Sequence, residues 1–100
     1  MKQHHHLVDF ILAQGHAIRV DDGEEITGAL RDRAEIIEAI EAVEEATVHA
    51  VVLAGDKRKR IGWFFVIPDL ADDETVADYS ATRLSSEWEI DYANRYGEEA

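Results

Sequence analysis

The apolar positions of this chain change period several times, and each change marks a predicted element. Residues 5–14, "HHLVDFILAQ", place Leu7, Val8, Ile11 and Leu12 on one helical face, and Gly15 follows as the expected stop. Ala17–Val20 predicts a short strand. "DDGE" at 21–24 predicts a tight turn, because Asp-Gly tolerates the positive φ of hairpin loops. "EEITGAL" then predicts a returning strand, weakened by Gly28. From about 32 to 46 the period becomes helical. Ile36, Ile40 and Val43 share one face with Ile37 at its margin, Glu38, Glu41 and Glu45 lie opposite, and Asp32 with Glu35 forms a capping box.

"TVHAVVLAG" and "RIGWFFVIP" are nearly continuous apolar runs, as expected of strands that are central or covered on both faces. The linker "AGDKRKR" makes them a hairpin with Lys57, Arg58, Lys59 and Arg60 at or beside its turn. Val76–Thr82 predicts a third strand of this meander, with a helix over 72–79 as the competing reading. Ser86 and Glu89 form a capping box that opens a last helix. On it Trp88, Tyr92 and Tyr96 recur at i, i+4 and i+8 as an aromatic stripe against the sheet, and Gly97 ends it. The order is α-β-β-α-β-β-(β)-α. This predicts a single α+β domain over 1–100, an antiparallel sheet of four to five strands with helices packed on it, and fraying at 1–4 and 98–100.

Composition narrows the function more than it names one. The chain has 100 residues, 46% hydrophobic, with 22 Asp and Glu against 10 Lys and Arg, giving formal net charge -12. A core is possible at that hydrophobic content, so the chain is not a disordered acidic tail. Such a field repels nucleic acid and anionic membranes and attracts basic protein surfaces. Absence of cysteine excludes disulfides and thiolate chemistry, and no apolar run reaches the roughly 20 residues of a membrane span. A cytoplasmic location, no membrane contact and no direct nucleic-acid binding are the expectations.

Candidate chemistry is sparse. His4, His5 and His6 are consecutive, and adjacent helical positions point apart, so no metal site and no cofactor are expected from them. His49 lies in an apolar strand, where a buried imidazole titrates near neutrality. There is no nucleophile elbow, phosphate loop or EF-hand ladder, and with 22 carboxylates close pairs carry no catalytic meaning. The expectation is a protein that is not an enzyme.

Three acidic clusters remain: the stripe Glu38, Glu41 and Glu45, the loop with Asp72, Asp73 and Glu74, and the "DDGEE" turn. The first two are the expected partner-binding residues. Lys57, Arg58, Lys59 and Arg60 are secondary contact candidates, read mainly as counter-charge on a solvated hairpin turn that discourages edge pairing. In size, charge and lack of cysteine the chain resembles the small acidic inhibitors of host defence encoded by phages and mobile elements, anti-restriction DNA mimics and anti-CRISPR proteins among them. That resemblance implies an interaction module that occludes a basic, nucleic-acid-binding surface of a host complex. The alternative is an assembly protein, a homodimer or larger homo-oligomer formed through a sheet edge or the aromatic patch.

Overall fold

The computed structural model describes residues 2–96, so the expected stop at Gly97 and fraying of 98–100 lie outside the described residues. It is an α+β domain with the order α1 (Gln3–Ala13), β1 (Ala17–Asp21), α2 (Arg33–Glu41), β2 (Ala46–Ala54), β3 (Lys57–Val66), β4 (Val76–Tyr79) and α3 (Arg83–Tyr96). The four strands form one antiparallel meander in the order β1-β2-β3-β4. The strands that carry the two long apolar runs, β2 and β3, are central, one of the two settings those runs predict.

They are not covered on both faces. Strand alternation turns Ile18, Val20, Val48, Ala50, Phe64 and Val66 to one side, where they meet Leu7, Val8 and Ile11 of α1, Ile36 and Ile40 of α2, and Leu84 and Trp88 of α3 in one buried core. The other side carries Arg19, His49, Trp63 and Phe65, all half-buried. Their contiguous apolar letters therefore divide between a helix-covered face and an open one. Only alternate residues of "GWFFVI" are available for assembly contacts.

Several boundaries differ from the sequence reading, β4 ending at Tyr79 and not Thr82 among them, and four have a clear local setting. "EEITGAL" is not a strand; it touches β1 through two isolated bridges, Asp21 with Ile26 and Ile18 with Leu30. Thr27 diverts it, because its hydroxyl accepts from the Val20 amide and donates to the Gly28 carbonyl, in place of a continuous ladder. Helix α2 stops at Glu41, not 46. Val43 still packs against the core from the turn that follows the helix, and Glu44 and Glu45 stay exposed. Its predicted start holds: the Asp32 carboxylate accepts from the amides of Ala34 and Glu35.

Helix α3 begins one turn earlier than its predicted cap. The Ser85 amide donates to Thr82 Oγ1 at 3.1 Å and the Thr82 amide donates to Ser85 Oγ at 3.0 Å, a reciprocal box. Ser86 is exposed, and Glu89 is engaged elsewhere, accepting from the Tyr79 hydroxyl, whose pKa is pushed up to about 12 mainly by that bond. Finally, residues 2–4 are tied down, not frayed. Lys2 Nζ donates to the Pro68 carbonyl, the Gln3 amide to the Asp72 carbonyl, and the His4 amide to Thr75 Oγ1. Residues 76–79 are a strand, as favoured over the helical reading.

The position of the cap is directly testable. Thr82→Ala should destabilise the protein by about 1 kcal/mol in urea denaturation, whereas Ser86→Ala should change it by less than about 0.5 kcal/mol.

Candidate functional site

The antiparallel register decides which acidic residues meet. Asp21 at the end of β1 pairs with Thr47, Ala46 at the start of β2 pairs with Val66, and Val66 near the end of β3 pairs with Val76 at the start of β4. The segments beyond these four ends therefore gather at one end of the sheet: the "DDGEE" turn, Glu44 and Glu45, and the loop 67–75 with Asp72, Asp73 and Glu74. The N-terminus of α1 lies among them through its bonds to Asp72 and Thr75. Its partly positive end faces an acidic rim, a favourable arrangement. Glu24, Glu45, Asp72, Asp73 and Glu74 are all exposed.

The Glu38–Glu41–Glu45 stripe does not survive as a unit. Glu38 stays on the exposed face of α2, and Glu45 lies beyond its end, just before β2. Glu41 turns to the histidines: its Oε2 lies 2.9 Å from His4 Nε2 and 2.7 Å from His5 Nε2. Those hydrogen bonds, that of His5 first, hold the Glu41 carboxyl below its ordinary pKa. Glu41 is thus a structural residue more than an open contact.

The third histidine goes the other way. Trp88 Nε1 donates to His6 Nδ1 at 3.0 Å, so His6 carries its proton on Nε2 and donates it to Asp91 Oδ2 at 2.7 Å. Asp91 also accepts from Arg95 Nε at 2.9 Å, one helical turn on, and the His6 bond foremost lowers its pKa. Adjacent positions do point apart, as geometry requires. His4 and His5 fasten α1 to α2, and His6 fastens it to α3.

His4 is fully buried, and burial outweighs the Glu41 bond to push its pKa below the ordinary value. It is therefore a neutral donor through Nε2 at neutral pH. One ring nitrogen each of His4 and His5 and a carboxylate oxygen of Glu41 lie within 4.8 Å of one another, close enough to hold a metal ion. The donor chemistry of His4 speaks against one. Among the described residues its buried Nδ1 has no hydrogen-bond partner, and a metal on Nε2 would force the proton onto that nitrogen with no acceptor among them.

The basic residues occupy the far end of the sheet. They do not form the turn: Gly55, at φ 65°, and Asp56 make the two-residue loop, and Lys57–Arg60 are the first residues of β3. From Val52 the hairpin runs past the paired parts of β1 and β4 as a two-stranded ribbon, with Leu53 exposed near its tip. The strand from Thr47 to Ala54 separates the two ends by roughly 25 Å. No sequence feature announced the His4–Glu41 or His6–Asp91 contacts, because each joins residues far apart in the chain.

Stability should fall in mild acid. Below the ordinary histidine value of about 6.5 an unfolded chain protonates His4, while the folded chain resists until lower pH; His49, lowered chiefly by burial and then by Arg60, acts in the same sense. Glu41, lowered in the folded state, adds a further loss as pH falls through the carboxylate range. The urea midpoint should therefore be lower at about pH 5 than at about pH 7, and His4→Phe should reduce that slope. Comparison with protein-family models, with curated proteins and with solved structures finds no match.

Proposed function

We propose that this protein is a non-enzymatic interaction module that offers the acidic end of its sheet to a basic partner surface, such as the nucleic-acid-binding face of a larger complex, and occludes it. One observation carries the reading. Acidic segments separated by tens of residues in sequence, at 21–25, 44–45 and 69–74, converge at the end of the sheet opposite the basic ribbon. A net charge spread evenly over a surface serves solubility; one gathered at one end also orients an approaching cationic surface. The described residues gather no nucleophile with a base, and the histidine–carboxylate pairs are committed to joining helices.

The rim residues that make no structural side-chain contact provide the test. Glu24→Lys, Glu45→Lys and Asp73→Lys together, with Glu41 left intact, should keep the melting temperature within a few degrees. In a nuclease-treated bacterial lysate, wild-type protein should retain Lys- and Arg-rich proteins that salt releases, and the triple variant should retain them at least about tenfold less. Equal retention of the same proteins by the triple variant would overturn the proposal.

A further inference from the structure

The four-residue basic run is not one charged patch. A β-bulge divides it. Ala50 pairs with Gly62 and Val51 pairs with Arg60, so Ile61 is the extra residue on β3. Without that insertion, simple alternation from Trp63 would bring Ile61, Lys59 and Lys57 to the open face. With it, Arg60 and Arg58 face the open side beside Val51, and Lys57 and Lys59 turn away. The bulge thus selects the two arginines, the side chains whose planar fork matches an oxyanion.

On that face a pocket of about 290 Å³ is lined by Arg19, Arg58, Arg60, His49, Val51 and Ile26. Val51 is 2% exposed and forms an apolar floor. Arg19 is held from β1 by a 2.9 Å bond from its Nε to the Thr27 carbonyl, leaving its terminal nitrogens for other use. Arg60 Nη1 lies 3.5 Å from His49 Nδ1, on the row where Arg19 pairs with His49. The charge pairing is the telling feature. Arg33, Arg83 and Arg95 each meet a carboxylate, and outside the pocket Arg31 alone does not among the described residues. In a chain with carboxylates in twofold excess, none of the three pocket arginines has one within the 4.0 Å of an ion pair among the described residues.

We infer that this pocket, formed by Arg19, Arg58, Arg60 and His49 over Val51, binds the phosphate group of a small phosphate monoester. Three guanidinium groups over-neutralise a single carboxylate, whereas a phosphate monoester carries close to two charges at neutral pH and three acceptor oxygens for bidentate forks. The volume is at the small end of ligand sites, roughly 300 to 1,000 Å³, which suits a small metabolite. The site lies at the other end of the sheet from the acidic rim and does not depend on what that rim binds.

Titration with inorganic phosphate and with glycerol 3-phosphate, followed by amide NMR at low ionic strength, tests it. Saturable shifts centred on Val51, Arg19 and Arg60 are expected, with Kd near or below about 1 mM. Arg58→Gln with Arg60→Gln should weaken binding by about tenfold or more, and Lys57→Gln with Lys59→Gln should leave it within about twofold. Absence of saturation by about 10 mM, or equal losses in the two double variants, would overturn the site. Equal affinity for succinate would overturn the phosphate assignment, and tighter binding of a phosphoserine peptide than of glycerol 3-phosphate would overturn the small-molecule assignment.

Discussion

The register of β2 against β3 is the constraint on which the rest of this molecule depends. Pairing Ala46 with Val66 and Val48 with Phe64 sends one alternation set into the helix-covered core. It also sets which chain segments emerge at each end. A one-residue slip would exchange the core and open faces of a central strand, so burial of Val48, Phe64 and Val66 defends it strongly. Everything of functional interest follows from that register: an acidic end, a basic end, and a bulge that re-aims two arginines.

The first turn of α1 completes the structure. Residues 2–6 join the loop 68–75, α2 and α3 within two helical turns' length of chain. Trp88 illustrates why that junction is rigid. Its indole is 2% exposed, sits edge-on to Phe64 and Tyr79, and donates to His6. A buried indole N–H needs an acceptor, and His6 is that acceptor only in one tautomer, which Asp91 in turn requires. The histidines serve architecture, and the burial of His4 couples it to pH.

Much of the fold was legible in the sequence. Continuous apolar runs located the hairpin, period-3.6 patterns the helices and loose alternation the strand at 76–79, and Asp32 declared its cap. What was not legible depended on competition or on distance. Thr82 and Ser86 are both acceptable caps, and the reciprocal bonds of Thr82 with Ser85 mark the one used. The apolar period of Ile36, Ile40 and Val43 runs past the end of α2, because Val43 packs against the core from the following turn. Of the expected contact residues, Asp72, Asp73, Glu74, Glu38 and Glu45 are exposed, while Glu41 is held by His4 and His5. The run Lys57–Arg60 read as one turn, because a bulge leaves no mark in a sequence beyond an extra residue in a strand.

The central claim is that charge is segregated along the sheet, acidic at one end and cationic on the open face of the ribbon at the other. Amide relaxation enhancement by a cationic and an anionic paramagnetic probe, compared on one sample, tests it most directly. The account predicts that the cationic probe concentrates at residues 22–25, 44–45 and 69–74, and the anionic probe at Val51 and 58–60. Uniform enrichment of the cationic probe over the whole surface, the ribbon included, would contradict it.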